Sequence, residues 1–170
     1  MKQFSIMCLL AGIIATQGVS AEEVIRHKIP NSDFPIALAV EVPANKTLVF
    51  VSGGGPVPIA AADKATSAVS ANTPAAFGNT RTQTVSTLTK IQNDLKRLGL
   101  DMKDVVKMQV FLVGDAELKG EMDFAGFMEG YKQFFGTAKQ PNLPARSLVK
   151  VAGLVNPGWL VEIEVTAVRH

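Results

Sequence analysis

Apolar and polar residues alternate in several stretches of the chain, and this alternation predicts β-strands. Every second position is apolar over residues 104–113, which is typical of a strand with one buried face. Similar patterns predict strands over residues 24–29, 36–42 and 47–52, the last two joined as a hairpin through residues 43–46. The second strand of that hairpin is rich in β-branched and aromatic residues, so we expect it to pair centrally in the sheet.

Two other stretches repeat their apolar residues at helical spacing. Thr80 and Gln83 have the spacing of a capping box at the start of the first helix, and Gly99 is placed to end it. The second stretch is an aromatic stripe that ends at Gly136, and such a stripe is more often core than ligand site. Two helices that cover a sheet face predict an α+β fold. The apolar positions are Val85, Leu88, Ile91, Leu95 and Leu98 in the first helix and Phe124, Phe127, Met128, Tyr131, Phe134 and Phe135 in the second.

The amino terminus has the pattern of a secretory signal peptide. Lys2 precedes an apolar run over residues 4–14, which is too short to span a bilayer, and Val19-Ser20-Ala21 offers small residues for cleavage. A retained anchor or a buried strand fits this cleavage pattern poorly. We therefore expect a signal peptide over residues 1–21, cleavage after Ala21, and one domain over residues 22–170 in the periplasm or outside the cell, with no membrane attachment after cleavage.

Composition disfavours several classes of function. The only cysteine, Cys8, lies in the predicted signal peptide, and His27 and His170 have no metal-ligand spacing, so we expect neither a disulfide nor a metal site. The 17 basic residues include Lys2, so cleavage leaves 16 against 15 acidic residues, and the basic ones are scattered. Scattered basic residues do not form the basic patch of a nucleic-acid binder. With one Trp and one Tyr, the sequence also lacks an aromatic platform on which bases could stack.

The last thirty residues contain the strongest candidates for chemistry. Arg146 begins one strand-like segment, and Glu162 and Glu164 lie within the next. Apolar strands seldom contain charged residues unless these are paired or used. An arginine facing a pocket is a good clamp for a small carboxylate, and a nearby glutamate could hold or activate a water. The alternative is a structural ion pair, and the two glutamates share a strand face, so spacing alone does not choose between them.

A glycine cluster, Ser52-Gly53-Gly54-Gly55, follows the third predicted strand. No helix follows directly and no Lys-Ser/Thr pair is present, so this is not a nucleotide-phosphate loop. It is either a flexible turn or a place where backbone approaches a ligand closely. Residues 57–78 then form a long loop of weak periodicity, which either covers a pocket or is mobile.

These features occur in an order that resembles the RidA family, also called YjgF, of reactive-imine deaminases. The resemblance covers the chain after residue 21 except residues 57–78. It rests on Ser52-Gly53, residues 104–107 leading to 110–112, Tyr131 with Phe134-Phe135, Pro144-Ala145-Arg146-Ser147, and Glu162-Ile163-Glu164.

The resemblance implies a fold and an activity. The fold is similar to chorismate mutase, with a mixed six-stranded sheet, two helices on one face, and a homotrimer whose pockets lie between subunits. Family members hydrolyse 2-imino or 2-enamino acids, such as 2-iminobutanoate and 2-iminopropanoate, to 2-keto acids and ammonia without a cofactor. Arg146 matches the arginine that holds the substrate carboxylate, and Glu162 matches the glutamate that positions the hydrolytic water.

The resemblance also implies a substrate pocket. Ser52 and Gly53 match pocket residues, whereas Ile36, Met128 and Leu148 stand where a Tyr, an Asn and a Cys are usual in the family. These three differences make the pocket more apolar and favour a bulkier imino acid. The alternative is a periplasmic protein that binds small carboxylates or 2-keto acids without turnover. A ribonuclease or translation-inhibitor role, assigned to some relatives, is disfavoured by the predicted export and the scattered charges.

Overall fold

The computed structural model describes residues 23–59 and 73–170 of the chain. The predicted signal peptide, residues 1–21, and most of the predicted loop over residues 57–78 lie outside the described residues. Both therefore stay predictions.

The described residues build one six-stranded mixed sheet with the strand order β1-β2-β5-β4-β6-β3. The β5 strand runs parallel to both β2 and β4, and the remaining neighbours are antiparallel. The strands are β1 Ile25–Lys28, β2 Ala37–Glu41, β3 Thr47–Gly54, β4 Val105–Val113, β5 Ala145–Val151 and β6 Val161–Arg169.

Two helices, α1 Thr80–Arg97 and α2 Phe124–Tyr131, cover one face of this sheet. The alternation predicted in β4 is confirmed, because Met108, Val110 and Leu112 are fully buried whereas Lys107 is exposed. The predicted α+β architecture, similar to chorismate mutase, is likewise confirmed. The core between helices and sheet contains Leu88, Ile91, Leu95, Phe127, Tyr131, Phe135, Met108, Val110, Leu112, Val161, Ile163 and Val165.

The opposite face of the sheet is not covered by either helix, and we call it the open face. Its side chains alternate with the buried ones along each strand, because neighbouring residues of a strand point to opposite faces. Large apolar residues are exposed there, including Phe50 with 77% of its surface accessible. The open face presents Leu48, Phe50, Lys107, Gln109, Phe111, Val149, Glu162, Glu164 and Thr166.

The predicted hairpin of the second and third strands is wrong. The β2 strand pairs with β1 and β5, whereas β3 pairs along most of its length with β6. The β3 strand is therefore an edge strand, and the prediction that it pairs centrally is also wrong. Apolar alternation specifies which face of a strand is buried but not which strand lies beside it. The long pairing with β6 places Val49 and Val51 against the core, which a short hairpin with β2 would not do.

The predicted capping box of Thr80 and Gln83 at the first helix is wrong. Asn79, not Thr80, is the N-cap, and its Oδ1 accepts a hydrogen bond of 3.0 Å from the Thr82 amide. Gln83 instead joins α1 to the loop before β6. Its amide donates to the carbonyls of Gly78 and Gly158, and its Oε1 accepts a bond of 2.7 Å from the Leu160 amide.

The second helix is shorter than predicted. It ends at Tyr131, and the chain continues through turns to Gly136, whose φ of 70° is the left-handed conformation that favours glycine. Gly99, with φ of 71°, follows α1 as predicted. Neither helix, nor any other within the described residues, has the length and apolarity needed to cross a membrane.

Candidate functional site

Arg146 lies on the helix-covered face, beneath α2. It is the second residue of β5 and pairs with the fully buried Met108 of β4. Its guanidinium carbon lies 4.4 Å from the ring centroid of Tyr131, 5.0 Å from that of Phe127 and 5.7 Å from that of Phe34. Aromatic faces attract a cation at such distances, so the rings stabilise the charge that they also shield from water.

The donors of this guanidinium are poorly used within the described chain. Nη2 donates to the thioether Sδ of Met128 at 3.3 Å, and sulfur is a weak acceptor. Nη1 is buried and has no hydrogen-bond partner among the described residues. Burial lowers the pKa of Arg146 from its ordinary value, and the adjacent Tyr131 partly opposes this. A shielded guanidinium with unused donors is well suited to an anionic ligand.

The segment before β2 completes the surroundings of Arg146. The Tyr131 hydroxyl donates a 2.9 Å hydrogen bond to the Pro35 carbonyl, which ties this segment to α2. Phe34 stacks on Phe124, with ring centroids 6.4 Å apart and an interplanar angle of 16°. We call Phe34, Phe127, Met128 and Tyr131 the Arg146 cage. Ile36, a predicted pocket residue, follows Pro35 in this segment and is partly buried. Its amide donates a hydrogen bond of 2.8 Å to the Phe34 carbonyl.

Glu162 lies on the open face, beside the end of β3. It pairs with Phe111 in β4, and Phe111 is one of the residues that alternate with the buried ones. The pairing of β3 with β6 is irregular between Val51 and Gly54, which brings Gly53 close to this carboxylate. A Cβ at position 53 would lie 2.9 Å from Oε1 of Glu162, so the absence of a side chain permits the approach.

Ser52 borders a shallow concavity of about 220 Å³ on the same open face. Glu164 also lines this concavity and is more exposed than Glu162. Ser52, Gly53 and Glu162 therefore form one half of the predicted site, with polar groups at the β3–β6 edge. The concavity is lined by Phe50, Val51, Ser52, Lys107, Gln109, Glu164, Val165 and Thr166.

Of the predicted site residues, the chain brings Arg146 and Met128 into contact, and Leu148 follows Arg146 on the same strand face. Leu148 pairs with Val110 and packs against the core. Arg146 and Glu162 do not meet, because they project from opposite faces of the sheet. The alternative of an Arg146–Glu162 ion pair is therefore wrong for the single chain.

The sequence interpretation missed the aromatic half of the site. Phe127 and Tyr131 were assigned to the core, and Ile36 was the one residue of the segment before β2 that was predicted to line the pocket. Both helix residues are indeed fully buried, but their rings also contact Arg146. An arginine on the core-facing side of a strand, in a chain with an aromatic helix stripe, is a signal for such contacts.

No group of three or more His, Cys, Asp or Glu residues is placed to hold a metal ion within residues 23–59 and 73–170. The chemistry available from the described side chains is carboxylate binding at Arg146 and proton transfer or water binding at Glu162.

Comparison with known proteins identifies the family. The sequence model described as Endoribonuclease L-PSP matches residues 37–169, and the chain belongs to this family, which includes the RidA, YjgF and RutC proteins. A RutC family protein of Haemophilus influenzae is 34% identical over 143 residues, which are 84% of this chain and 93% of that protein.

Solved structures agree with this assignment. E. coli TdcF with bound serine has 28% sequence identity and a TM-score of 0.53, with 88% of this chain and 99% of that chain covered. The YjgF gene product of E. coli also has 28% identity, with a TM-score of 0.52 and coverage of 83% and 93%. The family resemblance seen in the sequence, and the chorismate-mutase-like fold of the single chain that it implied, are thereby confirmed, whereas the homotrimer stays a prediction.

Proposed function

We propose that this protein hydrolyses 2-imino and 2-enamino acids to 2-keto acids and ammonia at a site shared between copies of the chain. The proposal rests on Arg146, whose shielded guanidinium keeps the Nη1 donor without a partner in the described chain. Such a group binds a carboxylate through two parallel hydrogen bonds and fixes its orientation. The relative solved with serine bound supports an α-amino-acid-like ligand for this family.

The reaction requires the protein mainly to orient the substrate and to position a proton acceptor. The carbon of a protonated imine is already electrophilic, and an enamine becomes an imine when its β-carbon gains a proton. Glu162 accepts a proton as water adds to that carbon, and the resulting carbinolamine expels ammonia to leave the keto acid. Orientation by Arg146 and proton transfer at Glu162 are sufficient for this sequence of steps.

A site that uses both Arg146 and Glu162 would require more than one copy of the chain. Because they project from opposite faces of one sheet, a ligand held by Arg146 of one subunit can reach Glu162 only of another. The open face is suited to such assembly, since Leu48, Phe50 and Val149 leave apolar surface exposed there. We propose the homotrimer expected from the family resemblance, with each site between two subunits.

The location in the cell is also a proposal. We expect residues 1–21 to direct export to the periplasm or the medium and to be removed after Ala21. Intact-mass measurement of the protein recovered from a bacterial host tests this directly. We expect the periplasmic fraction to contain a protein whose mass corresponds to a chain beginning at Glu22. A full-length protein in the cytosol contradicts the proposal.

A binding protein without turnover is the second candidate. It is favoured by one observation: the Arg146 half of the site is complete within a single chain, whereas Glu162 must come from a neighbour. This candidate predicts that 2-keto acids raise the melting temperature while imine hydrolysis is not accelerated. No shift in the melting temperature at millimolar 2-keto acid counts against it.

RNA cleavage, which the family description names, finds no support in the charge distribution. The basic residues are scattered along the sequence, and several of those in the described chain pair with acidic neighbours. Examples are Arg81 with Glu129 at 3.4 Å and Lys90 with Asp94 at 3.1 Å. A backbone-binding surface needs several unpaired cations on one face.

The test of the deaminase proposal uses imines made in place by an amino-acid oxidase. Keto-acid formation is followed in the presence of a nucleophilic trap that competes for the free imine. We expect the protein to accelerate hydrolysis, and Arg146→Ala to lower kcat/KM by about 100-fold or more, since a buried charged contact is lost. Arg97→Ala, at an exposed arginine of α1, is the matched control. Equal rates with and without protein over several imines contradict the proposal.

A further inference from the structure

We infer that Phe34 and Met128 determine the substrate class of this site, which is 2-imino acids with an aromatic or large apolar side chain. The inference rests on the proposed function for the location of the site and goes beyond it by naming the ligand. It follows from what surrounds the guanidinium to which the carboxylate binds.

The position of the ligand side chain follows from its covalent structure. In a 2-imino or 2-keto acid, the substituent is joined to the carbon next to the carboxylate. A carboxylate bound by Arg146 therefore places the beginning of that substituent within a few ångströms of the guanidinium. The described side chains at that distance are those of the Arg146 cage. Phe127 and Tyr131 are fully buried, whereas Phe34 and, to a small extent, Met128 keep exposed surface.

Phe34 is well placed to contact the substituent. It is 40% exposed, so part of its ring surface is available to a ligand while the ring also borders Arg146. Two interactions hold it there, the stack on Phe124 and the hydrogen bond from Tyr131 to the adjacent Pro35. An aromatic substituent would stack on or meet the edge of this ring, a geometry that adds to the gain from burial.

Met128 gives the Arg146 cage an adaptable surface beside Phe34. Its Sδ contacts Nη2 of Arg146, and the residue belongs to the core cluster but keeps 8% of its surface exposed, so it borders the guanidinium at the edge of the core. A methionine side chain is unbranched and fills irregular gaps, and its sulfur contacts aromatic rings favourably. The carboxylate would replace this weak acceptor on Nη2, which leaves the thioether free to pack against the substituent.

Polar substituents have no comparable partner here. The Tyr131 hydroxyl donates to the Pro35 carbonyl and also lies against the guanidinium, whose other described partners are aromatic rings and one sulfur. A hydroxyl or second carboxylate on the ligand would be buried without a strong hydrogen bond, which disfavours it. The cage therefore selects for apolar size.

The inference is tested by binding, independently of turnover. Calorimetry on the assembled protein would compare pyruvate, 4-methyl-2-oxopentanoate and phenylpyruvate as probes. We expect affinity to rise along this series, with phenylpyruvate bound about tenfold or more tightly than pyruvate. In Phe34→Ala the phenylpyruvate-to-pyruvate ratio should fall about tenfold, whereas Leu118→Ala, at a similarly exposed residue of a distant turn, should leave the ratio unchanged.

The outcomes separate this inference from the proposed function. Selective binding without imine hydrolysis would contradict the proposed function and support the ligand class. Hydrolysis of alanine-derived and phenylalanine-derived imines at equal kcat/KM, with equal affinities for the keto acids, would overturn the inference and leave the deaminase standing. The wild-type series alone decides the matter if Phe34→Ala does not fold, since tighter binding of pyruvate than of phenylpyruvate overturns the inference.

Discussion

The guanidinium of Arg146 and the carboxylate of Glu162 lie on opposite faces of the same sheet. Arg146 pairs with Met108 and Glu162 pairs with Phe111, and these two β4 residues are an odd number of positions apart. Alternation along β4 therefore sends the two functional side chains in opposite directions. Each chain contains both residues of the proposed site, but Arg146 and Glu162 of the same chain cannot contact the same ligand.

Glu162 and Glu164 share a face and differ in surroundings, which gives a matched pair of variants. Glu162 is partly buried beside Gly53, whereas Glu164 is exposed. We expect Glu162→Gln to lower kcat for imine hydrolysis by roughly 10²-fold to 10⁴-fold, the range for loss of an acid–base group. Glu164→Gln should stay within about threefold of the wild type. The reverse ranking, measured under the same conditions, would assign the water to Glu164.

Gly53 is expected to position Glu162. In Gly53→Ala the new Cβ would meet Oε1 of Glu162 at 2.9 Å, so the carboxylate must move. Since binding of the substrate carboxylate rests on Arg146, kcat should fall by about tenfold or more while KM changes little. Gly153→Ala is the control, because a Cβ there would meet nothing within 4 Å. A rise in KM with unchanged kcat would instead assign Gly53 to substrate binding.

Tyr131 provides an optical test of the buried cage, since it is the only tyrosine of the chain. Burial raises the pKa of Tyr131 above its ordinary value, and the nearby Arg146 partly opposes this. In the denatured chain the tyrosine should ionise at a pH of about 10. In the native protein, phenolate absorbance should therefore appear only at a distinctly higher pH. Ionisation near pH 10 in the folded protein would show that the ring is accessible to solvent.

The same shift makes stability depend on pH. Because the folded protein holds the phenol proton more tightly than the unfolded chain, the stabilisation is complete below pH of about 10 and is lost as pH rises toward the folded-state pKa. The free energy of unfolding should fall over that range. Tyr131→Phe should remove that contribution to the slope and lower the stability at neutral pH by about 1 kcal/mol, through loss of the hydrogen bond to Pro35.

Phe50 is expected to stabilise the assembly. It is the most exposed aromatic residue of the open face. Phe50→Asp would place a charge in the proposed interface, so sedimentation should show a smaller species than the wild type at the same concentration. Val155→Asp, at an 85% exposed residue of the loop between β5 and β6, should leave the mass unchanged. A wild-type protein that sediments as a monomer would contradict the shared site itself.

Local patterns in the sequence predicted most of the elements, because a strand face or helix stripe depends on neighbouring residues alone. The alternation of Met108, Val110 and Leu112 was sufficient to predict β4 and its buried face. The partner of β3 could not be predicted in this way. Its pairing with β6 depends on residues more than a hundred positions away, and the short link to β2 favoured the wrong hairpin.

The candidate site was predicted in part, and the limits are physical. Arg146 stands out because a charge is unusual in an apolar strand, and the family resemblance added Glu162. The cage contacts of Phe34 and Tyr131 were missed, because they depend on the segment before β2 packing against α2, which is distant in sequence. Gln83 has the spacing of a capping residue, but its side chain forms hydrogen bonds with Gly158 and Leu160 instead. These partners are distant in sequence, so local spacing could not reveal them.

The most direct test of the shared site is complementation between two inactive variants. Arg146→Ala and Glu162→Gln subunits would be unfolded together, refolded as mixtures, and checked for mixed assemblies by native mass spectrometry. If Arg146 of one subunit acts with Glu162 of the next, random mixing restores about a quarter of the sites in a closed ring. We predict recovery of imine hydrolysis to that level from two variants that are each inactive. Mixed assemblies without any recovered activity would contradict the account.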